Sequence, residues 1–154
     1  MLTDDYAAFG ILVHDVARSI RYAFDARARG LGVTRAQWRV LMYLARYDGI
    51  SQTELADALD VERITAGRMV DRLVESDLVE RREDPQDRRV WRLHLLPSAH
   101  GIVAQLSEVA AGLEREVLAT LPDDRRLELF DLLRTVRDGL KGLRSEPNSP
   151  KEVA

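Results

Sequence analysis

The stretch that decides the fold runs from residue 61 to residue 96 and reads VERITAGRMVDRLVESDLVERREDPQDRRVWRLHLL. In its first half, apolar residues recur at steps of three and four, which predicts an amphipathic helix from about Arg63 to Ser76. In its second half, two short runs at Val79–Glu83 and Val90–Leu96 predict a β-hairpin. A helix followed at once by a charged hairpin is typical of a winged helix-turn-helix, in which the hairpin is the wing.

The predicted helix separates an apolar face from a polar face. The apolar face consists of Ala66, Val70, Leu73 and Val74. Candidate DNA contacts lie on the polar face and at the start of the helix: Arg63, Thr65, Arg68 and Arg72. The second helix of a helix-turn-helix enters the major groove, where an arginine can contact O6 and N7 of one guanine, and Arg68 is the central candidate. The alternative is a solvated Arg68 that pairs with Asp71.

The predicted wing tip reads DPQDRR over residues 84–89. A carboxylate at Asp87 can orient a neighbouring guanidinium, and an arginine on a narrow hairpin tip suits the minor groove. The candidate wing contacts are therefore Asp87, Arg88 and Arg89. For Arg89 a charge-rich, solvated turn is the alternative, because phosphate contact and solvent exposure look alike in sequence.

Two capping boxes predict the helices that precede this stretch. Thr34 and Gln37 open one helix, which continues through Val40, Leu41 and Leu44. Ser51 and Glu54 open a short second helix that ends near Leu59. Residues 60–62 then supply the turn into the Arg68 helix, so the winged helix-turn-helix is predicted over about residues 34–96.

Apolar stripes at both ends of the chain predict long terminal helices. One stripe consists of Phe9, Val13, Val16 and Ile20, and the other of Leu129, Leu133, Val136, Leu140 and Leu143. We expect these helices, at about residues 5–29 and 97–144, to pack on one another and on a partner subunit in a homodimer. The alternative is a seam buried wholly within the monomer. The sequence thus predicts a single, mainly α domain over residues 1–144 and a disordered tail over residues 145–154.

Composition excludes several functional classes. The 154 residues include no cysteine and only three scattered histidines, so the sequence predicts no disulfide, no metal site and no cofactor. No phosphate loop or catalytic set is recognisable, which indicates that the protein is not an enzyme. The net charge of -3 requires that any DNA binding come from a local basic patch. No apolar run reaches the length of a membrane span, and the N-terminus lacks signal-peptide features, so we expect a cytoplasmic protein.

Together, these motifs resemble the MarR family of bacterial transcription factors, particularly its SlyA-like members. The resemblance covers about Phe9 to Leu143. Its specific parts are LGVT at residues 31–34 with Trp38, SQTELA at residues 51–56, the run 63–78, and REDPQDRR at residues 82–89. It implies an obligate homodimer whose two winged lobes bind a pseudo-palindrome. It also implies that Thr65 and Arg68 read the major groove, that Asp87 holds Arg88 in the minor groove, and that Arg89 contacts the DNA backbone.

A small aromatic carboxylate is a candidate effector. His14, Arg18 and Arg21 recur on one face of the first helix, and Trp38 opens the next helix, so the four side chains could hold a carboxylate and its ring. SlyA-like proteins that bind salicylate-type ligands resemble this sequence at Arg18, Arg21 and Trp38. The alternative is structural: Arg18 would pair with Asp15, Arg21 with Asp25, and Trp38 would belong to the core.

The sequence as a whole indicates a sequence-specific DNA-binding transcriptional regulator, a repressor in the simplest case, that acts as a homodimer and is released by a small aromatic acid. The alternative is a winged-helix module that binds protein or RNA and has no ligand response. A nanomolar mobility shift with duplex DNA would separate these two functions.

Overall fold

The computed structural model describes the backbone of residues 3–144 and the side chains of residues 8–140. The helices are α1 (Thr3–Ala28), α2 (Arg35–Arg46), α3 (Gln52–Leu59), α4 (Arg63–Glu75), α5 (His100–Leu118) and α6 (Asp123–Arg144). The strands are β1 (Val79–Glu83) and β2 (Trp91–Leu95), and short 3-10 turns occur at Arg29–Leu31 and Pro97–Ala99. The mainly helical fold with a small hairpin confirms the predicted fold class. The predicted tail at 145–154 and the side chain of Leu143 lie outside the described residues.

Both predicted capping boxes are confirmed, and they fix where α2 and α3 begin. The Thr34 hydroxyl accepts the Gln37 amide at 3.3 Å, and the Gln37 side chain accepts the Thr34 amide at 2.9 Å. At α3, the corresponding bonds between Ser51 and Glu54 measure 3.1 and 2.7 Å. Each pair satisfies two backbone amides that the helix itself leaves without acceptors.

The turn between α3 and α4 is short because Asp60 adopts a left-handed conformation, with φ of 52°. The Val61 amide donates to the Ala56 carbonyl at 3.1 Å across this turn. An aspartate tolerates this backbone region better than most residues do. The turn therefore brings α4 across α3 without a flexible linker, as a helix-turn-helix requires.

The hydrophobic core lies within residues 24–113 and joins α2, α3, α4, the hairpin and α5. Its fully buried side chains include Leu41, Leu44, Leu55, Leu73, Leu93 and Leu106. In α4 the buried residues are Ala66, Met69, Val70 and Leu73, whereas Val74, which the sequence placed on the buried face, is half-buried. Val74 lies at the margin of the buried face, so its side chain is only partly covered.

The hairpin pairs Val79 with Leu95 and Glu83 with Trp91 in antiparallel register. Its base is buried through Leu93, whose backbone bonds with Gly49 and Ile50 extend the sheet edge. Trp91 belongs to the same alternating set as Leu93, yet it is 44% exposed. It lies towards the open end of the hairpin, where the wing leaves the core.

The described residues divide into two compact units between Leu113 and Glu114, within α5. The first contains the winged helix-turn-helix and α1, and the second contains the end of α5 and α6. In the second unit, Arg126 Nε donates to the Leu118 carbonyl at 2.8 Å and thereby joins the two helices. The predicted single domain over residues 1–144 stays a prediction. Across residues 3–144, none of the helices is long and apolar enough to cross a membrane.

Candidate nucleic-acid interface

The outward face of α4 carries the residues that the sequence singled out as DNA contacts. Arg63, Thr65, Arg68 and Arg72 are all exposed. Asp71, the alternative partner of Arg68, instead forms an ion pair with Arg81 at 2.7 Å. The predicted pairing of Arg68 with Asp71 is therefore not formed, and the exposed Arg68 guanidinium forms no ion pair with a carboxylate of its own helix.

Arg81 fixes α4 relative to its neighbours, a role that the sequence reasoning missed. Its guanidinium lies 3.1 and 3.2 Å from the Gln52 side-chain oxygen, and it donates to the Gly67 carbonyl at 3.3 Å. One cation from β1 thus joins the start of α3 to the middle of α4. The only signal in the sequence was that Arg81 alternates with Val79 and so shares its face of the strand. The partners of Arg81 are remote in sequence.

The start of α4 differs from the starts of α2 and α3. Glu62 precedes the helix in an extended conformation and provides no side-chain cap, and the first turn contains no acidic residue. The first backbone amides of α4 are thus left without a side-chain acceptor. A helix start of this kind attracts anions, because its amides and the helix dipole both favour negative charge.

The wing turn is built around Asp84. One carboxylate oxygen accepts the amides of Gln86 and Asp87 at 2.7 and 3.2 Å, and the other accepts Arg92 Nε at 2.7 Å. The hydrogen bond from Arg92 is the main reason that the pKa of Asp84 lies below its usual value. The same contact raises the pKa of Arg92. The carboxylate therefore stays charged and keeps the turn closed.

Arg92 also connects the wing to the start of α3. Its guanidinium donates to Glu54 at 3.3 Å and to the Gly49 carbonyl at 3.4 Å. Hydrogen bonds from Ser51 hold the pKa of Glu54 below its usual value, with a smaller contribution from the positive charge of Arg92. The capping box of α3 and the turn of the wing thus share one network, which sets the direction of the hairpin.

A second contact fixes the base of the wing. The His94 ring lies 2.8 Å from the carboxylate of Asp48, which also accepts the Leu95 amide at 3.1 Å. Burial raises the pKa of Asp48, but these hydrogen bonds outweigh it and leave the pKa lowered. A side chain at Gly49, whose φ is 80°, would meet the His94 ring at 3.1 Å. The loop after α2 is therefore closely fitted to β2.

The predicted role of Asp87 needs correction. Its carboxylate accepts the Arg89 amide at 3.0 Å and lies 3.5 Å from Arg89 Nε, rather than against Arg88 as the resemblance implied. In a turn, the side-chain oxygen of an aspartate most easily accepts the amide of the residue two positions later. This geometry explains why Asp87 bonds to Arg89 and not to Arg88. Arg89 is still 94% exposed in its side chain. The structure thus leaves Arg88 unrestrained at the wing tip.

Arginines near this surface fall into two groups. Arg81, Arg82, Arg89 and Arg92 form ion pairs. Within α4 and the hairpin, all of which the structure describes, four exposed arginine side chains take part in no hydrogen bond or ion pair: Arg63, Arg68, Arg72 and Arg88. These four belong to the outward face of α4 and the wing tip, so unneutralised positive charge is concentrated there despite the acidic net charge of the chain.

The structure only partly assembles the predicted effector site. Arg18 is exposed and lies 3.3 Å from Asp15, as its alternative predicted. The Trp38 indole donates to Asp25 at 2.7 Å, and its ring centroid lies 4.3 Å from that of Phe24. His14 is exposed, and no described hydrogen bond or ion pair joins it to Arg18, Arg21 or Trp38.

A different set of cations lies near Asp25, the hydrogen-bond partner of Trp38. Asp25 accepts Arg35 at 3.4 Å rather than Arg21, so the predicted pairing of Arg21 with Asp25 is not formed. Burial lowers the pKa of Arg39, and the positive charges of Arg35 and Arg21 lower it further. Arg35 and Arg21 thus lie close enough to Arg39 to repel it, while Asp25 and Asp60 act in the opposite direction. Arg35 and Arg39 were missing from the sequence-based site because their proximity to α1 depends on tertiary packing.

These features define a winged helix-turn-helix protein. Capping boxes open α2 and α3, a short turn leads from α3 into α4 with its exposed basic face, and the hairpin is bonded to the start of α3. A family model described as the MarR family matches residues 31–90. Wild-type MarR from E. coli in its apo form is 30% identical, with 82% of this chain and 94% of that chain covered and a TM-score of 0.71. The chain belongs to the MarR family, whose members are transcriptional regulators and not enzymes. The SlyA-like subgroup stays a prediction.

Two further relatives are similar over much of the chain. A mutant MarR from E. coli, solved in complex with operator DNA, is 28% identical, with 88% of this chain and 98% of that chain covered and a TM-score of 0.71. A protein from Thauera aromatica, assigned to transcriptional regulation of the hcr operon, is 33% identical over 103 residues. That alignment covers 67% of this chain and 62% of the relative, so the chain spans less than two thirds of the relative's length.

Proposed function

We propose that the protein is a sequence-specific DNA-binding repressor that acts as a homodimer on a pseudo-palindromic operator. The observation that carries this proposal is the group of unpaired arginines Arg63, Arg68, Arg72 and Arg88 on the outward face of α4 and the wing tip. An arginine without a protein partner is free to bind a phosphate or a guanine edge without first breaking an ion pair. The operator complex of the related E. coli MarR mutant supports duplex DNA as the partner.

In the proposed complex, α4 lies in the major groove. Thr65 and Arg68 contact base edges there, while Arg63 and Arg72 neutralise phosphates beside the groove. Arg88 enters the adjacent minor groove, and Arg89, held by Asp87, contacts the backbone. The uncapped start of α4 adds backbone amides as further phosphate donors.

The homodimer is supported by apolar faces that a single chain leaves uncovered. Phe9, Val13, Val16 and Ile20 in α1 are 41–49% exposed, and Leu133, Val136 and Leu140 in α6 are 39–55% exposed. Regular stripes of this kind mark surfaces that associate, whereas scattered exposed apolar residues do not. A two-fold dimer would present its two α4 helices to half-sites about 10 bp apart. A cytoplasmic location, where the operator is available, is part of this proposal.

The salt dependence of binding tests the proposal directly. A duplex selected by the wild-type protein from a random pool should bind more weakly as salt rises, with a log–log slope of about -0.9 for each phosphate neutralised. Arg72→Ala should make this slope shallower by about two for the dimer, because one phosphate contact is lost in each subunit. Arg125→Ala is the control, because Arg125 already pairs with Glu128 at 2.7 Å in α6.

The outcome of the salt titration also separates the alternatives. Binding that is insensitive to salt, or the absence of any selected duplex, would contradict the proposal and favour a protein-binding module. Tighter binding to single-stranded or duplex RNA than to the selected DNA would favour the RNA-binding alternative.

Release by a small aromatic acid completes the proposed function. Its support is a group of cations near Asp25, the hydrogen-bond partner of Trp38. Arg35 pairs with Asp25, and Arg21 and Arg35 lie close enough to Arg39 to lower its pKa. A ligand carboxylate would relieve the repulsion among these cations, and the indole would provide an apolar wall. In this proposal, His14 and Arg18 join the site when the ligand binds.

Salicylate at millimolar concentration is therefore expected to lower operator affinity. Arg18→Ala and Arg21→Ala should each abolish this response while ligand-free DNA binding stays nearly that of the wild type, because neither residue lies on α4 or the wing. Fluorescence anisotropy with the selected duplex measures both quantities, and Arg125→Ala is again the control. Unchanged operator affinity in salicylate, together with no heat of binding in calorimetry, would leave this region a structural role only.

A further inference from the structure

Ile64 is an aliphatic side chain that the fold leaves uncovered on α4. It is 72% exposed, although isoleucine is among the residues most often buried in proteins. Ile64 lies in the first turn of the helix, between the exposed residues Arg63 and Thr65. The exposure therefore falls within the surface proposed to meet DNA.

Helix geometry prevents Ile64 from joining the core. A helix turns about 100° per residue, so Ile64 points away from the buried side chains Ala66, Val70 and Leu73. The residue one turn later on the same face is Arg68, at i+4. Ile64 and Arg68 thus form an adjacent apolar and cationic pair at the centre of the outward face.

The chemistry of the major groove identifies what such an apolar side chain can contact. Base edges there present hydrogen-bond donors and acceptors, and the apolar group is the C5-methyl of thymine. Residues four apart in a helix differ by about 6 Å along the axis, which corresponds to one or two base-pair steps of about 3.4 Å. The base pair next to Ile64 is therefore one or two steps from the base pair that Arg68 reads.

We propose that Ile64 is a specificity-determining residue that contacts the thymine C5-methyl at one position in each half-site, one or two base pairs from the guanine bound by Arg68. This inference rests on the proposed DNA-binding function and deepens it. Ile64 selects thymine over cytosine and over uracil, because both of these bases lack the methyl group. The contact adds specificity without adding charge, so it does not change the salt dependence of binding.

Replacing thymine with uracil tests this contact one methyl group at a time. In the duplex selected by the wild-type protein, each thymine is replaced in turn by uracil, which removes only the C5-methyl. We expect one position per half-site at which uracil weakens wild-type binding by about fourfold. This is the affinity lost when the contact no longer buries one methyl group. Ile64→Ala should bind the thymine and uracil duplexes equally, since the side chain that senses the methyl is gone.

A control on the same helix isolates the effect. Glu75→Ala changes another exposed residue of α4, in its last turn, and should retain the roughly fourfold preference for thymine. Circular dichroism should show an intact fold for both variants, because neither side chain is buried.

The failures of the two proposals are distinguishable. Failure of the wild-type protein to bind any selected duplex would overturn the proposed function. Tight wild-type binding with no uracil effect at any thymine would overturn only the role of Ile64, leaving it a solvated side chain. A uracil effect that persists undiminished in Ile64→Ala would assign the methyl contact to another residue and also contradict the inference.

Discussion

Replacing Arg68 with alanine is expected to weaken operator binding by about 5- to 150-fold for each half-site, which corresponds to about 1 to 3 kcal/mol. The physical reason is the loss of a bidentate contact between a guanidinium and a guanine edge. Arg68 has no carboxylate partner in the structure, because Asp71 is bound by Arg81. The substitution therefore removes a contact to DNA without leaving an unpaired charge in the protein.

Arg68→Lys separates base reading from charge. Lysine keeps the positive charge but lacks the fork of parallel donors, so a phosphate contact would be largely restored and a bidentate guanine contact would not. Anisotropy titrations with the selected duplex, and with duplexes altered at each position, measure both affinity and selectivity. We expect Arg68→Ala and Arg68→Lys to relax selectivity at the same position in each half-site.

Two results would contradict the assignment of Arg68. Wild-type affinity in Arg68→Ala would exclude a contact to DNA. Full recovery of affinity and selectivity in Arg68→Lys would indicate that Arg68 binds a phosphate rather than a base.

Leu133→Asp is expected to dissociate the proposed homodimer and to abolish operator binding with it. In a single chain Leu133 is 48% exposed, so a charge at this position costs little within the monomer. In a dimer that buries the α6 stripe, the substitution removes buried apolar surface, at a cost on the order of 2 to 5 kcal/mol in each chain. An unpaired carboxylate in such a seam adds a desolvation penalty.

Leu127 provides a matched control on the same helix. It is 73% exposed and lies on the side of α6 opposite the stripe of Leu129, Leu133, Val136 and Leu140. Leu127→Asp should therefore leave the dimer intact. Sedimentation equilibrium at micromolar concentration should give twice the chain mass of 17.5 kDa for the wild type and Leu127→Asp, and a smaller mass for Leu133→Asp.

A wild-type protein that is monomeric at micromolar concentration and still binds the selected duplex would contradict the dimer. An unchanged dimer in Leu133→Asp would show that the α6 stripe is not part of the interface. Circular dichroism of Leu133→Asp distinguishes dissociation of folded chains from unfolding.

The sequence by itself determined the helices, the hairpin and the candidate residues of α4. Capping boxes at Thr34 and Ser51 act within four residues, so they fix helix starts whatever the rest of the chain does. The apolar periodicity and the strand alternation are equally local, and β1 matches its predicted bounds of 79–83. The family resemblance rests on the same local motifs, in order.

Only the tertiary structure decided which charged side chains are neutralised and which remain available. Arg81 and Arg92 reach Gln52 and Glu54 across 29 and 38 residues of chain, and no local pattern predicts such partners. The resemblance also misassigned Asp87, which bonds to Arg89 instead of Arg88. An ion pair depends on the distance between atoms in space, which for residues on different elements is set by packing. Packing therefore decides that Arg68 has no carboxylate partner, because it places Arg81 of β1 against Asp71.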